Sequence, residues 1–306
     1  MNRVKIDAGG VFVGIARNVR PYIAHVLANA ERRSEVFSRS RIVVVENDST
    51  DGTQDELRRW AAASEAHIYV SADGVASGDF GTRTERLAYY RNIYLREIEK
   101  GAYDGFDYVV IFDCDNVNSG WVDNEAFADA VRFLAQEEER AAAFANTRGF
   151  YYDIWTLRHP SWCATDCWQD VERMRSFTSY TEAVVNCVGG RQVRIEPTCD
   201  PIPVTSAFGG LGIYKRRYLL GKQYFARSRD GSPICEHVSV NEQISGDGGK
   251  LFIFPPLVVG TPYEHIHRPR DRTYYRTRLA EYLAERRAHW KSTSMHAQPA
   301  TSPAGR

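Results

Sequence analysis

The chain has 306 residues, 43% hydrophobic and 25% charged, enough for one large or two small domains with a real core. Lysine plus arginine and aspartate plus glutamate both number 39, so the net charge is zero and no global field recruits nucleic acid or an anionic membrane. The longest apolar runs, 11–16 and 251–259, fall well short of the roughly 20 residues of a membrane span, so no transmembrane segment is expected.

In chain order, residues 11–16 (VFVGIA) read as a buried strand, and Pro21 suits the first turn of a helix running to about residue 37. Residues 41–46 form the second strand; Asp51-Gly52 turns the chain, Thr53 caps, and 54–63 reads as a helix with Leu57 and Trp60 inward. A short strand over 67–71 follows. Residues 84–100 carry Leu87, Tyr90, Tyr94, Leu95 and Ile98 at helical spacing, with Gly101 as the stop. Residues 108–112 are a continuous apolar strand that runs into Asp113-Cys114-Asp115-Asn116. Strand and helix alternate to about residue 145, and valine-rich strands without polar alternation need a sheet covered on both faces. That is an α/β fold with a mostly parallel central sheet flanked by helices.

The second half is less regular. YYDIWTLRHPSWCATDCW is aromatic and polar, 170–203 is weakly periodic, and LFIFPPLVVG is strand-like. A basic, tyrosine-bearing helix is expected over 272–290, followed by a tail with the composition of disorder. The expected organisation is one domain over 1–270, with 271–306 as C-terminal helix and tail. Residues 1–10 have no signal-peptide character, so the expected location is cytoplasmic. The six cysteines make no dense framework, and Cys163 and Cys167 lack a second pair for zinc, so reduced structural thiols are expected.

Ligands of such sheets bind outside the carboxyl ends of the strands. Three strands deliver polar groups there: Arg17 and Asn18 from the first, Glu46, Asn47 and Asp48 from the second, Asp113 and Asp115 from the fourth. Two carboxylates one residue apart at the end of a buried strand repel unless a cation offsets them. Mg²⁺ or Mn²⁺ bridging to a diphosphate would do so. Arg86 and Arg91 precede that strand and could present guanidinium forks to phosphates, whereas Arg83 reads as a solvated helix position. The Gly209-Gly210 pair allows close backbone approach to a ligand. CEHVSVNEQI offers Glu236, His237 and Glu242, and the late strand-like run ends near His265 and His267, either of which could complete a metal site as neutral imidazole. Trp155, Trp162 and Trp168 could stack on a sugar face or simply form core.

The ENDSTDGT segment, Arg86 to Asn92 as R-x4-RN, VVIFDCD, AFGGLGIYK, EHV and the late PP run together resemble the GT-A glycosyltransferases, and among them the capsule-associated alpha-mannosyltransferase family. The resemblance covers most of 11–267. It implies a nucleotide-sugar half over about 11–145 and an acceptor half over 146–270. By the same resemblance Ala16, Arg17, Asn18 and Glu46 lie by the base and ribose, Asp113 and Asp115 hold the metal, Gly209-Gly210 lies near the donor sugar, and Glu236-His237 near the acceptor. The implied donor is a nucleotide sugar, with GDP-mannose favoured, the acceptor a glycan or glycolipid hydroxyl in surface polysaccharide or capsule synthesis, and the outcome retention. If the enzyme inverts instead, Glu236 or Glu242 would take the acceptor proton. Peripheral membrane contact and oligomeric state stay open. A sugar-phosphate nucleotidyltransferase would carry a glycine-rich basic loop after the first strand, where this chain reads IARNVRP, and a non-catalytic carbohydrate-binding protein has no need of Asp113 and Asp115.

Overall fold

In a computed structural model, which describes residues 5–75, 80–228 and 230–268, the valine-rich runs become the middle of an eight-stranded sheet. The first half of the chain gives β1 (Ile6–Ala16), α1 (Arg20–Ser34), β2 (Phe37–Glu46), α2 (Thr53–Ala62), β3 (His67–Ser71), α3 (Arg83–Ile98), β4 (Tyr108–Asp113), α4 (Asn124–Ala135) and β5 (Arg140–Thr147). The second half adds α5 (Cys167–Met174), α6 (Tyr180–Cys187), β6 (Ile202–Val204), β7 (Leu211–Lys215), α7 (Glu236–Gly246) and β8 (Lys250–Val259). Strand order is β3-β2-β1-β4-β7-β5-β8-β6. The pairs β1·β2, β1·β4, β2·β3 and β5·β8 are parallel, while β7 runs antiparallel to both neighbours and β6 to β8.

Both faces of the sheet are covered, as the unalternating strands require. Val11, Val13, Val109 and Ile111 pack on one side with Tyr94 and Leu95 of α3; Phe12, Val44, Val110 and Phe112 pack on the other with Ile23 and Leu27 of α1 and Phe127 and Val131 of α4. Register then fixes the rim. Ala16 lies opposite Glu46, Glu46 opposite Ser71, and Ile15 opposite Asp113, so β1 to β4 all end at one level.

Several boundaries differ from the sequence reading. The first strand begins at Ile6, because its early residues interleave with charged neighbours and glycines and carry no apolar run. The first helix stops at Ser34, since Phe37 already belongs to β2 and packs edge-on against Phe12 with ring centres 6.0 Å apart. Thr53 is the first residue of α2, not its cap: Gly52, at φ +91°, holds that position, and the Thr53 hydroxyl donates to Asp51 Oδ1 at 2.7 Å. The weakly periodic stretch contains α5 and α6, eight residues each and capped by Asp166 and Ser179, too short to establish a period. Pro255 and Pro256 sit where the β5·β8 register slips, and Asn146 Nδ2 donates to the Pro255 carbonyl at 3.1 Å. No described helix is long and apolar enough to cross a membrane. The helix expected over 272–290 and the tail lie outside the described residues.

Candidate active site

Above the carboxyl ends of β1 and β4 opens a cavity of about 600 Å³, walled on its far side by the loop after β5, the start of α7 and the chain beyond β8. Its floor is the end of β4. Asp113 N donates to the Gly210 carbonyl at 2.9 Å, and Asn118 Nδ2 ties the Asp113 and Gly210 carbonyls together at 3.0 and 2.8 Å. Asn118 is itself gripped from behind by Asn29, which donates to its carbonyl at 2.7 Å, and by Arg33. Asp115 Oδ1 accepts from Val117 N at 3.0 Å, a short Asx turn that fixes the second carboxylate. Sequence reasoning missed Asn29, Arg33 and Asn118, because the bonds that join them to one another and to Gly210 cross some ninety residues of chain.

Arg91 is buried at the centre of the site. It donates through Nη2 to Asp113 Oδ1 at 3.1 Å and through Nε to Glu236 Oε1 at 3.0 Å, and it also reaches the Tyr94 hydroxyl. The expectation that Arg91 presents a free fork to phosphate is therefore corrected: two carboxylates from β4 and α7 already claim it. Burial chiefly, and then the Glu236 charge, push the Asp113 carboxyl up against the pull of Arg91. Burial and the Asp113 charge push Asp115 up to about 7. No described group bonds the Oδ2 of either aspartate. Such a pair is short of positive charge, and oxygen donors of this kind suit Mg²⁺ or Mn²⁺.

A third carboxylate, Asp153, lines the same cavity and was not singled out from the sequence. Its Oδ2 accepts from Gly209 N at 2.9 Å, and burial raises its carboxyl to about 6. Only its position directly after YY hinted at a site. Arg17, Arg83 and Arg86 also line the cavity, Arg17 with a buried Nε that has no hydrogen-bond partner. Arg83 is exposed at the start of α3, as its helical position predicts, and stands at the cavity wall.

His237 is buried, stacked on Phe208 at 3.7 Å between ring centres, and neither ring nitrogen has a hydrogen-bond partner. Burial, then Arg91, holds its pKa well below the ordinary histidine value, so the ring is neutral. His265 stacks on Tyr152 with ring centres 5.6 Å apart, and His267 meets Trp168 edge-on; both line the cavity. Neither joins the aspartates in a preformed cage: among the described residues no group of three or more His, Cys, Asp or Glu is placed to hold a metal.

Of the other expected residues, Ala16, Arg17, Asn47, Arg86, Asp113, Asp115, Glu236 and His237 line the cavity. Six do not. Glu46 is fully buried and spends its oxygens on Ser49 N and the Tyr69 hydroxyl, at 2.8 and 3.2 Å. Asn18, at φ +52°, accepts from Thr50 N, and Asp48, at φ +48°, accepts from Gly74 N, so both brace the turn after β2. Gly209 and Gly210 serve backbone packing. Their φ values are +68° and +88°, and a Cβ would lie 2.5 Å from the Ala145 carbonyl at one and 2.4 Å from Val117 Cγ1 at the other. Glu242 is exposed on α7, away from the cavity, because it lies off the face that carries Glu236, Val240 and Ile244 inward.

The mixed sheet, with paired aspartates at one strand end within a cleft, is similar in fold to solved GT-A glycosyltransferases. Among solved structures, the mannosyltransferase PcManGT from Pyrobaculum calidifontis, in complex with GDP-Man and Mn²⁺, aligns with 97% of this chain and 66% of its own at 18% identity and TM-score 0.50. The present chain thus spans just under two thirds of that protein's length. S. aureus TarS 1-349 in complex with UDP-GlcNAc aligns over 88% of this chain and 64% of its own at 13% identity and TM-score 0.47. Glucosyl-3-phosphoglycerate synthase from Mycobacterium tuberculosis aligns over 83% and 69%, at 16% identity and TM-score 0.40. No family model and no curated protein matches the sequence.

Proposed function

We propose that the chain is a metal-dependent glycosyltransferase that moves a sugar from a nucleoside-diphosphate donor to a hydroxyl acceptor. One observation carries the reading: a single cavity of about 600 Å³ is lined both by the paired carboxylates Asp113 and Asp115 and by the guanidinium groups of Arg17, Arg83 and Arg86. That mixture suits a cation bridged to a diphosphate, since one or two carboxylates plus substrate phosphates are how Mg²⁺ is commonly held. Bound there, Mg²⁺ or Mn²⁺ would neutralise charge growing on the departing diphosphate.

The chain's own groups do the rest. Arg17, Arg83 and Arg86 add fixed positive charge where the leaving group departs, in a site that needs no reorganisation at that moment. Glu236, His237 and Asp153 face the space left for the sugars, where orientation of the acceptor hydroxyl supplies proximity. Retention is the proposed outcome, by the family resemblance. It agrees with Glu236 having Oε1 engaged by Arg91, which leaves it poorly placed as a free base. The proposed donor is GDP-mannose, on the same resemblance together with the ligands of the Pyrobaculum calidifontis structure. The proposed role is surface polysaccharide or capsule synthesis.

The test is a thermal-shift panel of GDP, UDP, CDP and dTDP, each with Mn²⁺ and with EDTA, because a ligand that binds only the folded state raises its stability. A Mn²⁺-dependent shift confined to GDP is expected. A shift confined to another nucleotide would overturn the donor, and no shift with any of them would overturn the transferase.

A further inference from the structure

A second hollow of about 300 Å³ opens beside the main cavity and shares two of its walls, the rings of Trp155 and Trp168. Gln169, Glu172, Arg173, Ser232 and Pro233 complete it. One residue ties the two tryptophans together, Trp155 by its ring and Trp168 by its backbone. Asp166 Oδ2 accepts from Trp155 Nε1 at 3.1 Å, its Oδ1 accepts the backbone N–H of Trp168 at 2.9 Å, and Arg158 Nη2 donates to Oδ2 at 2.6 Å. Trp162, also half-buried, lines neither cavity: its Nε1 donates to the Arg191 carbonyl at 2.7 Å and its ring meets Tyr151 edge-on. Trp155 and Trp168 therefore wall the hollow, anchored by ring and by backbone respectively to an aspartate that is almost fully buried.

An indole wall beside an amide, a carboxylate, a guanidinium and a hydroxyl is chemically two-sided. The C–H face of a pyranose is apolar and packs on an aromatic ring, while the hydroxyls around its edge need hydrogen-bond partners. The volume stands at the lower end of the range for small-molecule sites, ~300–1,000 Å³. The hollow is also continuous with the site. Pro233 belongs to one and Glu236 to the other, and three residues of backbone reach at most ~10 Å. That segment is pinned by Ile234 N donating to the Ala226 carbonyl at 3.0 Å.

We propose that this groove is an acceptor subsite, holding the sugar next to the one that carries the reacting hydroxyl, so that the acceptor is an oligosaccharide of at least two units. This rests on the transferase reading above. A free monosaccharide would leave the groove unfilled, and a disaccharide would span from Trp168 to Glu236.

The test is direct binding by ligand-observed NMR, with the nucleotide panel run on the same wild-type protein. The probes are the methyl pyranosides of mannose, glucose and galactose and their 1→3- and 1→4-linked disaccharides. At least one disaccharide is expected to bind 10-fold or more tightly than its methyl monosaccharide. Trp168→Ala is expected to erase that gain, and Ser232→Trp, which fills the groove from an exposed loop, to erase it as well; the second variant guards against misfolding of the first. Equal affinity of every disaccharide and its monosaccharide overturns the subsite, as does a gain that survives in folded Ser232→Trp protein. Disaccharide binding in a wild type with no nucleotide shift keeps a sugar groove but overturns its role as an acceptor site.

Discussion

Asp115 is where burial and charge conflict most openly. An exposed aspartate titrates near ~3.9, whereas burial and the neighbouring Asp113 push this one up to about 7. Between those values the folded chain holds a proton that the unfolded chain has released, so without metal and nucleotide the stability falls as pH rises from about 4 towards about 7. A cation on the carboxylate has to displace that proton. Nucleotide binding with Mn²⁺ should therefore tighten as pH rises through about 7, and at fixed ligand concentration the thermal shift should be larger near pH 8 than near pH 6. Equal shifts would show that Asp115 stays clear of the cation. Asp115→Asn keeps an oxygen for Val117 N and removes the repulsion with Asp113. In EDTA it should be more stable than the wild type by ~1 kcal/mol, roughly 1–2 °C for a chain of this size, while losing the Mn²⁺-dependent nucleotide shift. A variant that binds nucleotide with Mn²⁺ as the wild type does would remove Asp115 from the site.

Between elements, Arg91 is the tie: it stands on α3 and holds the end of β4 through Asp113 and the start of α7 through Glu236. Replacing it by methionine preserves much of the volume but leaves two carboxylates without their cation. The loss should be about 3–5 kcal/mol, since removing one partner of a buried pair strands the other. Urea unfolding of Arg91→Met checks this, and a loss below about 1 kcal/mol would mean that water reaches both carboxylates. The same residue shows where sequence reading stops. A buried strand is a continuous apolar run, so β1, β2 and β4 were legible, and with them Asp113 and Asp115 at a strand end. Whether a polar group faces a ligand or another part of the chain was not. Glu46 looked like a ligand group but answers Tyr69 and Ser49, and Arg91 looked like a phosphate fork but answers Glu236, 145 residues on. Arg83 is exposed, as its helical position predicts, and only the fold brings that exposed position to the cavity.

Across the whole molecule, the proposed division into a donor half and an acceptor half does not follow folding units. β7 comes from the second half, yet it lies between β4 and β5 of the first, pairing Phe112 with Leu211 on one edge and Phe144 with Gly212 on the other. β8 then continues the sheet beyond β5. Nothing local in the sequence announced that insertion, because antiparallel pairing of a five-residue strand depends on neighbours about a hundred residues earlier. Its consequence is that a fragment ending near residue 150 would expose both edges that β7 covers, and Val110, Ile111, Ala143 and Phe144 would lose the partner strand that buries them. Unpaired apolar edges of this kind drive association. The fragment is expected to aggregate or stay unfolded, and the full chain to unfold in one step, with tryptophan fluorescence and far-ultraviolet circular dichroism giving coincident urea transitions. The six tryptophans include Trp60 on α2 and Trp162 in the later half, so the fluorescence samples both. Two separated transitions, or a soluble fragment with a cooperative transition of its own, would show that the nucleotide-binding half folds without β7 and that the shared strand is laid onto a finished domain.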